Sequence, residues 1–274
     1  MKKGVNQWCF ANGTTLERMI NLTAGHGFDG IEINMQEGDD VIGLHLGSSE
    51  QRILEMGRMA ADTGICIPSI STGLHWQYAL SHPDAATRKK GQEVIRRMIE
   101  AAALIGADTV LVVPGAVSPT VRYDDAYERA TESIWGVMGD AEAAKVHVGI
   151  ENVWNKFLLS PLEMARFIDG LGSDYVGAYF DVGNVLQFSF PEQWIRILGG
   201  RIRKVHVKDF STQVGNIHGF VPLLAGDVNW RAVREALLEI GYDGFLTAEL
   251  SAYAHGDNQL IADTSRHLDV IIAD

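Results

Sequence analysis

The sequence predicts an α/β fold, a single (β/α)8 barrel spanning residues 1–274, and three observations carry that expectation. Short β-branched apolar runs alternate with longer amphipathic stretches, eight of each. Three of the joints leading into an apolar run repeat one Gly-x-Asp text: Gly27-Phe28-Asp29, Gly106-Ala107-Asp108 and Gly241-Tyr242-Asp243. Such a repeat points to one recurring βα unit. The runs are apolar throughout, as expected of parallel strands covered on both faces, and such units close into a barrel. A doubly wound open sheet is the runner-up, yet no G-x-G-x-x-G follows the first run and the chain carries no Walker lysine motif.

The expected strands occupy residues 4–10, 30–34, 65–71, 109–114, 146–152, 176–181, 204–207 and 245–250. The expected helices occupy 15–25, 48–61, 82–105, 123–145, 161–171, 191–198, 230–240 and 258–272. Ser160-Pro161 supplies an N-cap followed by proline at the first helical position, and Ser160 to Glu163 has the spacing of a capping box. Gly25, Gly64, Gly106, Gly172, Gly199 and Gly241 stand where helices should end, because a left-handed residue costs glycine little. The longest βα loops fall at 73–81 and 211–226, at the strand ends where barrel enzymes build their sites. No Pro-, Gly- or Ser-rich linker divides the chain.

Apolar residues make up 46% of the chain and charged residues 21%, near the roughly 45–50% and 25% of ordinary globular proteins. Neither disorder nor a fibre is suggested by that composition. Twenty-three basic against 35 acidic residues give a formal net charge of −12, spread along the chain without an acidic tail. Such a surface repels nucleic acid and anionic membranes, so neither is an expected partner. Lys2-Lys3 is not followed by the apolar core of a signal peptide, and no apolar segment approaches the roughly 18 residues that span a bilayer. The expected location is therefore the cytoplasm. Cys9 and Cys66 each fall in an apolar run and read as buried free thiols.

Buried strands seldom end in charge, because an isolated ionised group in an apolar site is costly. Four successive strands end that way here, at Glu151, Asp181, His206 and Glu249. The carboxyl ends of neighbouring barrel strands converge on one axis, so the four side chains can meet. Three carboxylates held together would repel and raise one another's pKa, a conflict that a divalent cation removes. Carboxylate oxygens with one imidazole suit Mn²⁺, Mg²⁺, Co²⁺, Zn²⁺ or Fe²⁺ and leave coordination positions open. The competing structural reading pairs the carboxylates with Lys204, Lys208 or Arg203.

The motifs Gly149-Ile150-Glu151-Asn152, Tyr179-Phe180-Asp181-Val182-Gly183-Asn184, Val205-His206-Val207-Lys208-Asp209, Gly226-Asp227-Val228-Asn229-Trp230 and Thr247-Ala248-Glu249 resemble the xylose-isomerase-like TIM-barrel superfamily. The likeness runs over nearly the whole chain and is strongest to the sugar isomerase/epimerase branch containing ketose 3-epimerases and hydroxypyruvate isomerase. It implies one divalent metal ion, manganese among the candidates, held by Glu151, Asp181, His206 and Glu249. It further implies that Glu151 and Glu249 are catalytic and move protons. One glutamate would take a proton beside a ketone to give an enediolate, and the other would return one. Return to the same carbon makes an epimerase; return to its neighbour makes an isomerase. The implied substrate is a small ketose, ketose phosphate or keto-acid. Ketose 3-epimerases acting on free sugars often carry histidine where this chain has Asn184, and sugar-phosphate epimerases resemble it more closely there. Two alternatives are a lyase or dehydratase on a keto-sugar or keto-inositol, and a non-catalytic sugar-binding barrel.

Around that set, His75, Asn184 and Lys156 are the expected substrate contacts, while Lys208 and Asp209 are expected to fix the imidazole. Trp8 is expected to pack in the core, Glu32 to stand near the end of the second strand, and His147 to be structural. The expected partner is a small sugar, with a homo-oligomer suggested by analogy to similar barrels.

Overall fold

The computed structural model describes residues 1–38, 43–256 and 258–273. Among these, the strands are β1 (Lys2–Asn6), β2 (Gly30–Met35), β3 (Ser69–Thr72), β4 (Thr109–Val112), β5 (His147–Glu151), β6 (Val176–Asp181), β7 (Ile202–Val207), β8 (Asp209–Phe210), β9 (Phe220–Val221) and β10 (Phe245–Ala248). All but β8 and β9 are parallel and close into a barrel in the order β1-β10-β7-β6-β5-β4-β3-β2. The short β8 and β9 pair antiparallel in the loop that follows β7.

The helices are α1 (Leu16–Gly25), α2 (Glu50–Asp62), α3 (Ala85–Ile105), α4 (Tyr123–Ala144), α5 (Pro161–Gly170), α6 (Val182–Val185), α7 (Pro191–Leu198), α8 (Trp230–Glu239) and α9 (Gln259–Ala273). Each expected strand and helix is present. The single turn α6 is additional, and none of the described helices is long and apolar enough to cross a membrane.

The element ends follow local chemistry. The β1 ladder stops at Asn6, whose side chain accepts from the Trp8 amide (2.7 Å) and starts a 3-10 turn. The third strand begins at Ser69 because Pro68 has no N–H to give the ladder, so Cys66 makes only an isolated bridge to Gly30. Cys66 is consequently exposed, against expectation, while Cys9 is buried. Ser160 caps α5 by accepting from the Glu163 amide, but the Glu163 carboxylate takes the Leu159 amide (3.0 Å), so the expected box is only half formed. At the end of α1 the left-handed residue is Gly27 (φ 72°), two residues beyond the expected Gly25.

The packing divides into two regions. A large apolar cluster fills the layer between strands and helices, with residues such as Ile31, Ile150, Phe180 and Val205 fully buried. The barrel interior is different: Leu111, Val113 and Tyr179 form a small apolar group there. Around it, buried polar side chains from β1, β2, β3, β6 and β7 bond to one another across the lumen. Residues two apart on a strand share a face, so one set of positions faces the helices and the other carries this polar network.

Between β6 and β7 the register shifts, Ala178 pairing with Ile202 and Tyr179 with Lys204. Gly177 permits the close approach, since a Cβ there would lie 2.5 Å from the Arg201 carbonyl oxygen. Gly177→Ala is expected to cost about 1–3 kcal/mol through this overlap, read as a lowered thermal midpoint. An unchanged midpoint would show that the irregularity relaxes freely.

Candidate metal centre

Glu151 ends β5, Asp181 ends β6, His206 stands near the end of β7 and Glu249 follows β10. One donor atom from each lies within 4.8 Å of the others. Asp181 and His206 are fully buried, Glu151 nearly so, and the Glu249 side chain is 17% exposed. Asp181 is held from both flanks. Asn152 accepts its amide (2.9 Å) and donates to its carbonyl (2.8 Å), while the Asn184 amide donates to Oδ1 (2.8 Å). That leaves Asp181 Oδ2 aimed into the cluster without a hydrogen bond, and Glu249 Oε2 is in the same condition. Lys208 Nζ approaches both, at 3.2 Å and 2.6 Å, close in charge but not aligned as a donor.

The imidazole of His206 links this cluster to the lumen. Its Nδ1 lies 3.2 Å from Glu249 Oε2 and 3.4 Å from Glu151 Oε1, and its Nε2 meets Glu32 Oε1 at 2.7 Å. Burial pushes the Glu151 carboxyl up to about 7, with the Glu249 charge adding to the effect. Burial likewise raises Asp181, against the pull of Lys208. Glu249 goes the other way: burial opposes its charge, but the Lys208 ammonium and His206 outweigh it and hold the carboxyl low. For His206 burial opposes protonation, yet Glu32 and Glu249 win and raise its pKa well above the ordinary value.

The donor set fits a divalent cation on these grounds: three carboxylates and an imidazole nitrogen converge, and two carboxylate oxygens are buried without hydrogen bonds. The competing ion-pair reading is met only by Lys208. Lys204 pairs with Asp108 (2.7 Å) and Arg203 donates to the Asp174 carbonyl (3.1 Å). One ammonium beside three buried carboxylates leaves negative charge that a divalent ion would balance.

Above the cluster opens a cavity of about 650 Å³. Glu151, Glu249, Lys208 and Asn184 border it together with Trp8, Trp76, Trp154, Phe220 and Tyr253. Trp154 is fixed by donating Nε1–H to the Asn184 carbonyl (2.8 Å) and packs edge-on to Phe210 at 5.3 Å.

Several expectations are corrected. Asp209 does not touch the imidazole: it accepts from the amides of Phe210, Leu224 and Val228 and from Trp230 Nε1, pinning the long loop after β7. Lys156 is exposed, in a left-handed conformation (φ 59°), and is not among the residues lining the cavity. His75 is buried, only 2% exposed, lies against the backbone at Gly91 and is not among the residues lining that cavity. Trp8 is 42% exposed and forms cavity wall, not core. His147 is structural as expected, with Nδ1 3.1 Å from the Asp108 carbonyl and its ring against Tyr175. Asn184 borders the cavity, but its side-chain amide is spent on the Asn152 carbonyl (2.9 Å). Trp154, which follows Glu151 closely enough in the sequence to be expected at the pocket, does line it. The residues not anticipated in their roles are Asn152 and the imidazole partner Glu32. Glu32 left a signal, a carboxylate set inside the apolar run Gly30-Ile31-Glu32-Ile33.

Fold and site together define a (β/α)8 barrel with a cluster fit for a divalent metal at the carboxyl ends of its strands. Residues 20–270 match the family described as xylose isomerase-like TIM barrel, and the chain belongs to that family. L-ribulose-5-phosphate 3-epimerase UlaE of Salmonella heidelberg (strain SL476) is 26% identical over 242 residues, covering 88% of this chain and 84% of the relative. UlaE of Escherichia coli (strain K12) is 27% identical over 230 residues, 84% of this chain and 79% of the relative. A solved D-tagatose 3-epimerase-like protein shares the fold with a TM-score of 0.84 at 21% identity, covering 100% of this chain and 97% of that one.

Burial lowers the His75 pKa to about 4, with the Gly91 backbone opposing weakly and no aligned hydrogen bond to either ring nitrogen. A folded-state pKa below the unfolded one means that the unfolded chain binds the extra proton. The associated stability is full above about pH 6.5 and is lost as pH falls towards 4, up to about 3 kcal/mol. Urea midpoints from pH 7 to 4 should therefore fall more steeply for the wild type than for His75→Leu; parallel curves would refute this.

Proposed function

We propose that this protein is a divalent-metal-dependent sugar epimerase or isomerase acting on a small, unphosphorylated ketose. The observation that carries the reading is the pair Glu151 and Glu249. They reach one imidazole nitrogen from strands separated by β6 and β7, on the floor of a cavity large enough for a sugar. Family membership and relatives named as ketose-phosphate 3-epimerases support the same reaction class.

Glu151, Asp181, His206 and Glu249 would hold the ion, and manganese, magnesium, cobalt, zinc or iron(II) each suits such donors. When bound, the ion supplies positive charge that polarises a ketone and acidifies the adjacent C–H. Of the two glutamates, one takes the proton from that carbon and the other delivers a proton. Which carbon and which face receives it separates epimerisation from isomerisation. Trp8, Trp76 and Tyr253 at the mouth exclude water and offer flat faces to the sugar's C–H groups. Lys208 compensates Asp181 and Glu249, keeping both carboxylates available as ligands.

The preference for an unphosphorylated substrate follows from the wall away from the glutamates. Trp76, Ile217, Phe220, Val221 and Pro222 build it, with His218 beside them. A phosphate is ordinarily met by several N–H donors or a guanidinium fork.

Two outcomes are expected. Elemental analysis of the dialysed protein should find about one equivalent of a divalent metal, lost in Glu151→Gln and Asp181→Asn and weakened in His206→Ala; no metal after resupply would remove the metal-dependent reading. In D₂O, the metal-loaded protein should place deuterium on carbon of a ketose at least about tenfold faster than on its phosphate ester. Glu151→Gln and Glu249→Gln should each lower that rate by about 10²–10⁴-fold. Faster exchange of the ester would refute the substrate assignment, and exchange with neither would favour a sugar-binding barrel.

A further inference from the structure

We propose that Glu32 is the positioning residue that sets His206 as a metal ligand, fixing which ring nitrogen faces the ion and the plane in which it does so. The inference rests on the reading of the cluster as a metal centre. Glu32 projects from β2 into the lumen, beneath the cluster, and is fully buried. Each of its oxygens is engaged by at least two neighbours. Oε1 receives His206 Nε2 (2.7 Å) and Asn6 Nδ2 (2.7 Å), while Oε2 receives the Tyr179 hydroxyl (2.5 Å) and the Ser69 hydroxyl (3.0 Å). Those four donors come from β7, β1, β6 and β3, so the carboxylate is anchored to the barrel wall on several sides.

A carboxylate accepts hydrogen bonds, so the proton of the contact with His206 is carried by Nε2. The lone pair of a neutral ring then lies on Nδ1, the nitrogen turned to Glu151 and Glu249. The Tyr179 ring, centred 4.5 Å from the imidazole and hydrogen-bonded to the same carboxylate, restricts rotation about the remaining axis. Among the described residues, Glu32 is the hydrogen-bond partner of Nε2, whereas Nδ1 faces only the carboxylates of the cluster itself, Glu151 and Glu249. A carboxylate behind a ligating histidine fixes its tautomer and raises its donor strength, and loss of such a partner typically weakens metal binding by about 10–100-fold.

The test uses metal-stripped protein titrated with Co²⁺, followed by calorimetry and by the visible absorption of the bound ion. Glu32→Gln keeps shape and burial but presents a neutral amide that can donate as well as accept. It is expected to bind Co²⁺ about 10–100-fold more weakly, with altered absorption bands. Ser69→Ala removes a different hydrogen bond from the same carboxylate and serves as the structural control. It is expected to shift the thermal midpoint while leaving Co²⁺ affinity within about threefold. Wild-type affinity and spectrum in Glu32→Gln, or an equal loss in Ser69→Ala, would overturn the proposal. A second measurement does not depend on the variant folding: nitrogen NMR of the zinc-loaded wild type should show Nε2 of His206 protonated and Nδ1 bound to the ion. The opposite arrangement would overturn it. Failure of the wild type to bind any divalent ion would instead reject the metal centre itself, and this inference with it.

Discussion

Three carboxylates meeting around an imidazole, within 4.8 Å, at the carboxyl ends of the barrel strands repel one another unless positive charge is placed among them. The surroundings supply it in part. Lys208 reaches from the end of β7 to Asp181 and Glu249, and His206 stands between Glu151, Glu249 and Glu32. A buried ion costs several kcal/mol unless paired and hydrogen-bonded, so each carboxylate is tied to fixed donors where its geometry allows. Asp181 Oδ1 takes the Asn184 amide and Glu32 takes four donors, whereas Asp181 Oδ2 and Glu249 Oε2 have no hydrogen bond and are met by the charges of Lys208 and His206. The oxygens without hydrogen bonds are thus the ones pointed at the centre.

This arrangement is tolerable because cohesion comes from elsewhere. The layer between strands and helices carries the apolar burial, from Ile31 and Val205 on the strands to Met98, Trp194 and Leu268 on the helices. The lumen is thereby released from packing duty and holds a polar lattice running from Asn6 through Glu32 and Tyr179 to His206. Strand alternation enforces the separation, since neighbouring residues on a strand face opposite layers. Glu32 is flanked by Ile31 and Ile33 and Asp181 follows Phe180, each pair dividing between lumen and outer layer.

The same alternation explains what was legible in the sequence. Barrel topology and the four-residue cluster were legible because charged ends on consecutive apolar runs are rare and strand ends converge whatever the loops do. The expected role of Asp209 failed on parity: His206 and Lys208 share a face and Asp209 takes the other, where it gathers the loop to Trp230. Glu32 lay on the informative face, as its spacing from Asn34 shows, but its partner is across the lumen on β7, a contact that no local pattern encodes. Trp8, His75 and Lys156 depend on the path of irregular segments. A 3-10 turn lifts Trp8 to the mouth, another tucks His75 beneath the chain, and a left-handed backbone turns Lys156 outward.

The floor and the walls of the cavity therefore answer to different constraints. On the floor, Glu151, Asp181, His206 and Glu249 are locked by strand geometry and by the lattice beneath them, so any change there disturbs charge balance as well as shape. The walls are carried by the segments after β3, β7 and β10, where Trp76, Phe220 and Tyr253 hang from turns and from a two-residue hairpin. Substituting these faces alters what fits without altering the buried charge. A barrel sharing 26% identity with its relative can thus keep one floor while its walls differ. Asp209 is where the two regimes join, since one carboxylate beyond the end of β7 holds the loop that brings Phe220 over the site.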